Sequence, residues 1–111
     1  MIVGVVGSRE GVPKEKVFEA LDAEIFVECI VSGGAKGVDS FAEEWAKVNN
    51  VNCVVVRPVD PAKKLDYLFR NVEIIALVDK LLIFWDGSSR GTKFVIDYAT
   101  ARNKDFQLFK C

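Results

Sequence analysis

Short apolar runs alternate along this chain with longer stretches in which apolar residues recur at helical spacing. The apolar runs are predicted strands, at residues 1–6, 26–31, 53–56, 80–85 and 106–109. Apolar and polar residues barely alternate within them, which is typical of parallel strands that helices cover on both faces. Because parallel neighbours need right-handed crossovers, this order predicts one α/β domain, residues 1–111, built on a doubly wound sheet of five mainly parallel strands.

Four helices are predicted between these strands, from apolar residues that recur three and four positions apart. Pro13 suits the first helical position, and Asp60-Pro61 suits the N-cap and first turn of the third helix, which is in one piece or two. The apolar stripes comprise Val17, Phe18, Leu21 and Ile25; Val38, Phe41, Ala42 and Trp45; Leu65, Leu68, Phe69, Val72, Ile75 and Ala76; and Thr92, Val95, Ile96 and Ala99.

Composition excludes several classes of function. The 111 residues include no histidine, so Ser-His-Asp and Cys-His nucleophiles and His-containing zinc sites are excluded. The net charge of −1 gives no general positive field for nucleic acids or anionic membranes.

The three cysteines form no C-x-x-C pair, which argues against a disulfide framework or a zinc ribbon. We expect Cys29 and Cys53 to be buried in strands. No apolar run approaches the roughly 20 residues that span a bilayer, and no basic segment precedes the first run. We therefore expect a cytoplasmic protein without a signal peptide or a membrane partner.

Glycine is concentrated in three loops, each between a predicted strand and the helix that follows it. Seven of the eight glycines lie in the loops at 7–11, 32–39 and 86–92, and each loop also has a cation, Arg9, Lys36 or Arg90. Glycine lets the backbone approach a ligand closely, and loop amides at a helix N-terminus favour an anion. Because ligands bind beyond the carboxyl ends of such strands, the loops predict a site for a phosphate-bearing small molecule, specifically a nucleotide.

The loops match no standard nucleotide motif. The loop SGGAKGVD at 32–39 is neither G-x-x-x-x-G-K-[ST] nor G-x-G-x-x-G, so ATP hydrolysis and dinucleotide-dependent dehydrogenation are unsupported. The alternative is a purely structural role, in which the glycines only form tight turns and the cations are solvated. Trp45 belongs to an apolar stripe and is predicted core, whereas Trp85 either packs in the core or stacks on a base.

Four ordered motifs carry a family resemblance: GSR after the first strand, GGAKGVD after the second, Arg70-Asn71 in the third helix and FWDGSSRGT at the fourth strand. They resemble the SLOG superfamily, a Rossmann-like group that contains the DprA/SMF and LOG proteins, and within it the small YspA-type members. The resemblance covers nearly the whole chain. It implies the strand order 3-2-1-4-5, which would bring the three loops to one crevice, and a pocket for a nucleotide or nucleotide-derived ligand.

The ligand-binding residues are assigned from this resemblance together with the cations of the loops. They are Gly7, Ser8 and Arg9; Gly33, Gly34, Lys36, Gly37 and Asp39; Arg70 and Asn71; and Asp86, Gly87, Ser89, Arg90, Gly91 and Thr92. No catalytic residue, no metal site and no cofactor other than the ligand is assigned.

The expected function is binding, or sensing, of a nucleotide-like ligand, and two alternatives remain open. The first is a phosphoribohydrolase or N-glycosidase activity of the LOG type, whose motif resembles PGG-x-GT-x-x-E. Here Val95 stands at the glutamate position, and Asp97, two residues further, is about 200° around the helix. The resemblance therefore does not extend to the residue that the hydrolase needs.

The second alternative is DprA-like binding of single-stranded DNA, which would use a basic track with aromatic side chains. The sequence offers only the short clusters Lys14 and Lys16, and Lys63 and Lys64, so a nucleic acid is the less expected partner. Because half of the residues are apolar, we also expect a homo-oligomer, such as a homodimer.

Overall fold

The computed structural model describes residues 1–111 and contains five strands and four helices in strict alternation. The strands are β1 (Ile2–Gly7), β2 (Cys29–Ser32), β3 (Asn52–Val55), β4 (Lys80–Trp85) and β5 (Phe106–Lys110). The helices are α1 (Lys14–Asp22), α2 (Val38–Val48), α3 (Lys64–Leu77) and α4 (Arg90–Ala101). The predicted α/β class and the order of elements are confirmed.

The strands form one sheet in the order β3-β2-β1-β4-β5, and all neighbouring pairs are parallel. β1 lies at the centre, with Val3 opposite Ile30 of β2 and Lys80 of β4. This is the expected order. It places the loops that follow β2, β1 and β4 side by side at one edge of the sheet.

Two hydrophobic clusters fill the space between the sheet and its helices. Leu82 and Phe84 of β4 face the cluster formed with α1 and α2, whereas Leu81 and Ile83 face the cluster formed with α3 and α4. Successive strand residues point to opposite faces, so a strand covered on both faces must be apolar at every position. Each such side chain stabilises the fold by roughly 1.5–3 kcal/mol when fully buried.

The predicted boundaries are wrong around residues 22–28. α1 ends at Asp22, and Ile25 and Phe26, predicted in a helix and a strand, are 69% and 87% exposed. Phe26 has a φ of 59°, and its carbonyl accepts a hydrogen bond from the N-terminal amine of Met1 at 2.9 Å. This segment is therefore a turn held by the chain's first residue, and β2 begins only at Cys29.

The predicted start of the third helix is also wrong. α3 begins at Lys64 and runs as one piece. The side chain of Asp60 accepts a hydrogen bond from the amide of Ala62 at 3.0 Å, which is the local turn that aspartate favours. Asp60 therefore stabilises a turn before the helix rather than capping it.

Several residues that the sequence predicted to be buried are exposed. Cys53, predicted to be buried, is exposed because β3 is an edge strand. Leu65 and Phe69 of the predicted apolar stripe are exposed as well, and self-association of the chain stays a prediction. None of the four helices has the length and apolar character needed to cross a membrane.

Candidate functional site

A cavity of about 500 Å³ lies where β1, β2 and β4 end, and we call it the principal cavity. Its size is within the range of small-molecule sites. Sixteen residues line it: Val6, Gly7, Ser8, Arg9, Glu10, Gly33, Ala35, Asp39, Tyr67, Arg70, Asn71, Ile74, Asp86, Ser89, Gly91 and Thr92. Eleven of the sixteen residues predicted from the sequence are among them. The fold thus brings the four predicted segments together, while their role toward a ligand stays a prediction.

Ser8 joins the end of β1 to the end of β4 through two hydrogen bonds. Its amide donates to the carbonyl of Phe84 at 3.0 Å, and its hydroxyl accepts a hydrogen bond from the amide of Asp86 at 3.1 Å. Gly7, just before it, lies against the start of α2, because a Cβ there would come within 2.6 Å of Val38. The end of β1 is therefore fixed against both neighbouring loops.

Arg70 reaches from α3 over the ends of β2 and β3. Its Nη1 donates to the carbonyl oxygens of Gly33 at 2.5 Å and Val56 at 3.4 Å, and its Nε donates to Asn71 Oδ1 at 2.9 Å. A Cβ on Gly33 would overlap the guanidinium, so a larger residue at this position would displace the Arg70 side chain. The guanidinium consequently satisfies carbonyl groups that the strands leave unpaired at their ends.

Burial shapes the electrostatics of Arg70. Loss of hydration lowers the pKa of its guanidinium, and the negative charge of Asp39 opposes that shift. The guanidinium also lies 5.3 Å from the ring centre of Tyr67, within cation–π distance. An arginine stays charged at any physiological pH, so Arg70 is a fixed positive charge in the cavity wall.

Asp39, in the first turn of α2, is a buried carboxylate in the same wall. Its Oδ2 accepts a hydrogen bond from the amide of Ala35 at 3.2 Å, which holds the β2–α2 loop. Burial raises the pKa of Asp39 to about 6, although the Ala35 amide and Arg70 act in the opposite direction. The group can therefore accept a hydrogen bond from a ligand hydroxyl at neutral pH and take up a proton in mild acid.

The opposite wall is the loop between β4 and α4. Asp86 Oδ1 accepts hydrogen bonds from the amides of Ser88 and Ser89, both at 2.8 Å, and these bonds lower the pKa of Asp86. Ser89 caps α4 by accepting from the amide of Thr92 at 3.4 Å. Because Gly91 and Thr92 line the cavity, the first turn of α4, with its positive dipole end, faces the space where an anion would bind.

A second cavity, of about 310 Å³, adjoins the first, and we call it the basic annex. It is lined by Arg9, Gly33, Gly34, Ala35, Lys36, Arg57, Pro58, Pro61, Tyr67 and Arg70. The predicted residues Gly34 and Lys36 lie here rather than in the principal cavity. Five residues, Arg9, Gly33, Ala35, Tyr67 and Arg70, line both spaces, so the two cavities share a wall.

Three predicted residues, Gly37, Gly87 and Arg90, line neither cavity. Gly37 has a φ of 71° before α2, and a Cβ there would overlap the carbonyl oxygen of Arg9. Gly87 has a φ of 91° in an exposed turn. Arg90 is the exposed first residue of α4. The two glycines thus serve the backbone geometry of their loops.

Sequence reasoning missed several lining residues, chiefly Tyr67, Glu10 and Arg57. Tyr67 lies three residues before Arg70 on α3, so helical spacing from the Arg70-Asn71 motif could have found it. Arg57 lies in the loop after β3, which contains no glycine and therefore carries no local signal of a ligand site. Trp85 is outside both cavities, where its indole nitrogen donates to the carbonyl of Ser89 at 3.1 Å.

The positions relevant to hydrolysis lie away from the principal cavity. Val95 is fully buried in the cluster between α4 and the sheet. Asp97 is exposed and forms an ion pair with Lys93 at 2.6 Å. No cluster of three or more cysteine or carboxylate side chains is placed to hold a metal ion.

Comparison with known proteins assigns a family to this fold and cavity. A model of the YspA, cpYpsA-related SLOG family matches residues 1–59, more than half of the chain. The chain belongs to this family. No curated protein matches this SLOG chain.

Two solved structures share the fold of this SLOG chain. DNA processing protein A (DprA) from Streptococcus pneumoniae has a TM-score of 0.76 and 23% identity, with 96% of this chain and 49% of that one covered. DNA processing protein A from Helicobacter pylori, described for its single-stranded DNA binding mode, has a TM-score of 0.76 and 23% identity, with 97% and 64% covered. This chain therefore spans about half to two-thirds of the length of these proteins.

Proposed function

We propose that this protein binds a nucleotide or nucleotide-derived phosphate ligand in the principal cavity and thereby senses it. The observation that carries the proposal is the meeting of three glycine-rich strand-to-helix loops around one cavity of about 500 Å³ that also holds two guanidinium groups. Arg9 and Arg70 supply the charge, and planar guanidinium groups suit phosphate oxygens. The first turn of α4 adds backbone amides that favour an anion.

The polar groups around these cations suit the rest of a nucleotide. Asp39 and Asp86 are acceptors for ribose hydroxyls, and the Ser89 and Thr92 hydroxyls lie beside the α4 terminus. Tyr67 offers an aromatic ring between the two cavities. A cytoplasmic site of action is part of the proposal and agrees with three free cysteines, as expected in a reducing compartment.

Thermal melts against a ligand panel test the proposal. The panel contains AMP, ADP, ATP, GMP, GTP, NAD, ADP-ribose, cyclic nucleotides and a single-stranded oligonucleotide. A ligand at about 100 times its Kd stabilises the protein by roughly 2.7 kcal/mol, which raises the Tm of a domain of this size by on the order of 10 °C. The Arg9→Ala variant should lose most of this shift.

The matched control is Lys47→Ala, which removes an exposed cation in the last turn of α2, at the far end of that helix from the cavity. It should keep the full shift. If no nucleotide raises the Tm, or if Arg9→Ala responds like the wild type, the principal cavity is not a nucleotide site.

Single-stranded DNA is the second candidate ligand, favoured by the fold likeness to the Helicobacter pylori protein. Binding to a DNA backbone releases counterions, so its affinity would fall steeply between 50 and 200 mM salt. Fluorescence anisotropy with a labelled oligonucleotide in that salt range separates the candidates. DNA binding that exceeds nucleotide binding at physiological salt would replace the first proposal.

A further inference from the structure

The basic annex has a charge pattern that the principal cavity lacks. Arg9, Lys36, Arg57 and Arg70 line it, and no carboxylate does. None of these four cations forms an ion pair within the protein. The principal cavity, in contrast, balances its two arginines with acidic side chains.

These four cations come from four different parts of the fold: the loops after β1, β2 and β3, and helix α3. Their mutual repulsion is unfavourable, and the neighbouring charge of Arg9 contributes to the lowered pKa of Arg70. Cavities lined by one sign of charge concentrate ligands of the opposite sign. An anion in the annex would remove the repulsion and gain charge-assisted hydrogen bonds.

Two consecutive glycines leave room for two arginines of the annex. A Cβ on Gly33 would overlap Arg70, and a Cβ on Gly34 would come within 2.8 Å of Arg57 Nη1. The Gly34 carbonyl lies 3.5 Å from the same nitrogen. The Gly33-Gly34 pair therefore admits one guanidinium over each residue, and both face a space that continues into the principal cavity.

We propose that the basic annex is a second phosphate subsite, so that the ligand is a nucleotide with two or more linked phosphates. This inference rests on the proposed function and names the substrate class of the same site. The wall that both cavities share lets a single molecule occupy both, with its additional phosphates in the annex. The four cations line one small cavity of about 310 Å³ rather than an extended track, which favours a polyphosphate over a DNA strand.

Isothermal titration calorimetry with a phosphate series tests the subsite. AMP, ADP and ATP, the corresponding guanine series, and inorganic tripolyphosphate are titrated into the wild type, Arg57→Ala, Lys36→Ala and the control Lys47→Ala. In the wild type, affinity should rise about tenfold or more from mono- to triphosphate, as expected for added hydrogen bonds between charged groups. In Arg57→Ala, the rise should shrink to about threefold or less, while monophosphate affinity stays within about twofold of wild type.

Lys36→Ala should reduce the increase in affinity from mono- to triphosphate less than Arg57→Ala does. Lys47→Ala should leave this increase unchanged. Lys36 and Arg57 are both exposed, so we expect neither substitution to unfold the protein. Urea unfolding of each variant verifies this. An undiminished rise in Arg57→Ala and Lys36→Ala overturns the subsite.

The outcomes also separate this inference from the proposed function. Monophosphate binding that depends on Arg9, with no gain from further phosphates, overturns the annex and keeps the function. Tripolyphosphate binding that depends on Arg57, without binding of any nucleotide, supports an anion site in the annex and overturns the nucleotide function. An oligonucleotide that binds more tightly than every triphosphate, and depends on Arg57, overturns the polyphosphate assignment in favour of DNA.

Discussion

The β2–α2 loop and the β4–α4 loop both contain glycines and one cation, but they differ in what surrounds their glycines. In the first loop, a Cβ on Gly33, Gly34 or Gly37 would meet other atoms of the protein. In the second loop, a Cβ on Gly87 or Gly91 would meet nothing within 4 Å. Glycine thus permits close packing of the cavity walls in one loop and leaves open space in the other.

This difference predicts that the two loops respond differently to substitution. Changes in the β2–α2 loop should cost folding free energy, because they displace Arg9, Arg57 or Arg70. Changes in the β4–α4 loop should leave the fold largely intact and act on whatever enters the open space beside α4.

The largest effect is expected for Gly37→Ala compared with Gly87→Ala. Both glycines have positive φ, 71° and 91°, and such backbone conformations cost a non-glycine residue on the order of 1–3 kcal/mol. Gly37→Ala also forces a Cβ against a backbone oxygen, so we expect a loss of about 4 kcal/mol in the free energy of unfolding. Gly87→Ala should lose only about 1 kcal/mol. Urea unfolding measures both, and equal losses would contradict the steric difference between the loops.

The next effect concerns the two carboxylates, Asp39 and Asp86, whose pKa values shift in opposite directions. The raised pKa of Asp39, about 6 in the folded protein, means that its stabilising contribution is present below pH 3.8 and is lost as the pH rises through 6. The size of this shift corresponds to on the order of 3 kcal/mol. The lowered pKa of Asp86 has the reverse consequence, because its contribution is present above about pH 4 and is lost as the pH falls.

Urea unfolding of the wild type, Asp39→Asn and Asp86→Asn between pH 3 and 8 tests this contrast. The free energy of unfolding of the wild type should decrease between pH 4 and 7 as Asp39 loses its proton. Asp39→Asn should lack this decrease, so its stability relative to the wild type should increase toward neutral pH. Asp86→Asn should leave that decrease in place. If Asp39→Asn and the wild type run parallel over this range, Asp39 is not a desolvated carboxylate.

The smallest effect on stability is expected for Gly91→Ala. Gly91 lies in the first turn of α4 with open space around it, and alanine there should stabilise the protein by about 0.5 kcal/mol by restricting the unfolded chain. Because Gly91 lines the principal cavity, the added methyl group should also weaken binding of any nucleotide that the melts identify. Calorimetry together with urea unfolding measures both quantities, and a destabilised variant would show that this loop is as tightly packed as the other.

The fold was largely predictable because its elements follow local patterns. Continuous apolar runs such as 81–85 are typical of strands that a parallel sheet buries on both faces. The strand order came from the family resemblance, and the structure confirms it. The boundaries were less predictable, since Phe26 and Asp60 occupy turns whose partners, Met1 and Ala62, the periodicity does not reveal.

The candidate site was predictable where glycine marked it and less so elsewhere. Arg70 is charged and yet buried, because α3 passes over Gly33 and the missing side chain leaves room, a contact that helical spacing alone does not predict. Arg57 carries no local signal at all, since its place in the annex depends on the path of the loop after β3. Such contacts between distant segments arise only from the packing of the whole domain.

The central position of β1 determines when the site can form during synthesis of the chain. β1 pairs with β4, which is complete only at Trp85, and the principal cavity includes Thr92. A nascent chain that ends at residue 59 would contain the family-matching segment but would lack α3, β4 and the β4–α4 loop. These contacts are non-local, so they cannot form before the chain extends through Thr92. A ligand of the principal cavity would therefore stabilise only chains that extend through Thr92. Shorter chains would gain no stability from the ligand.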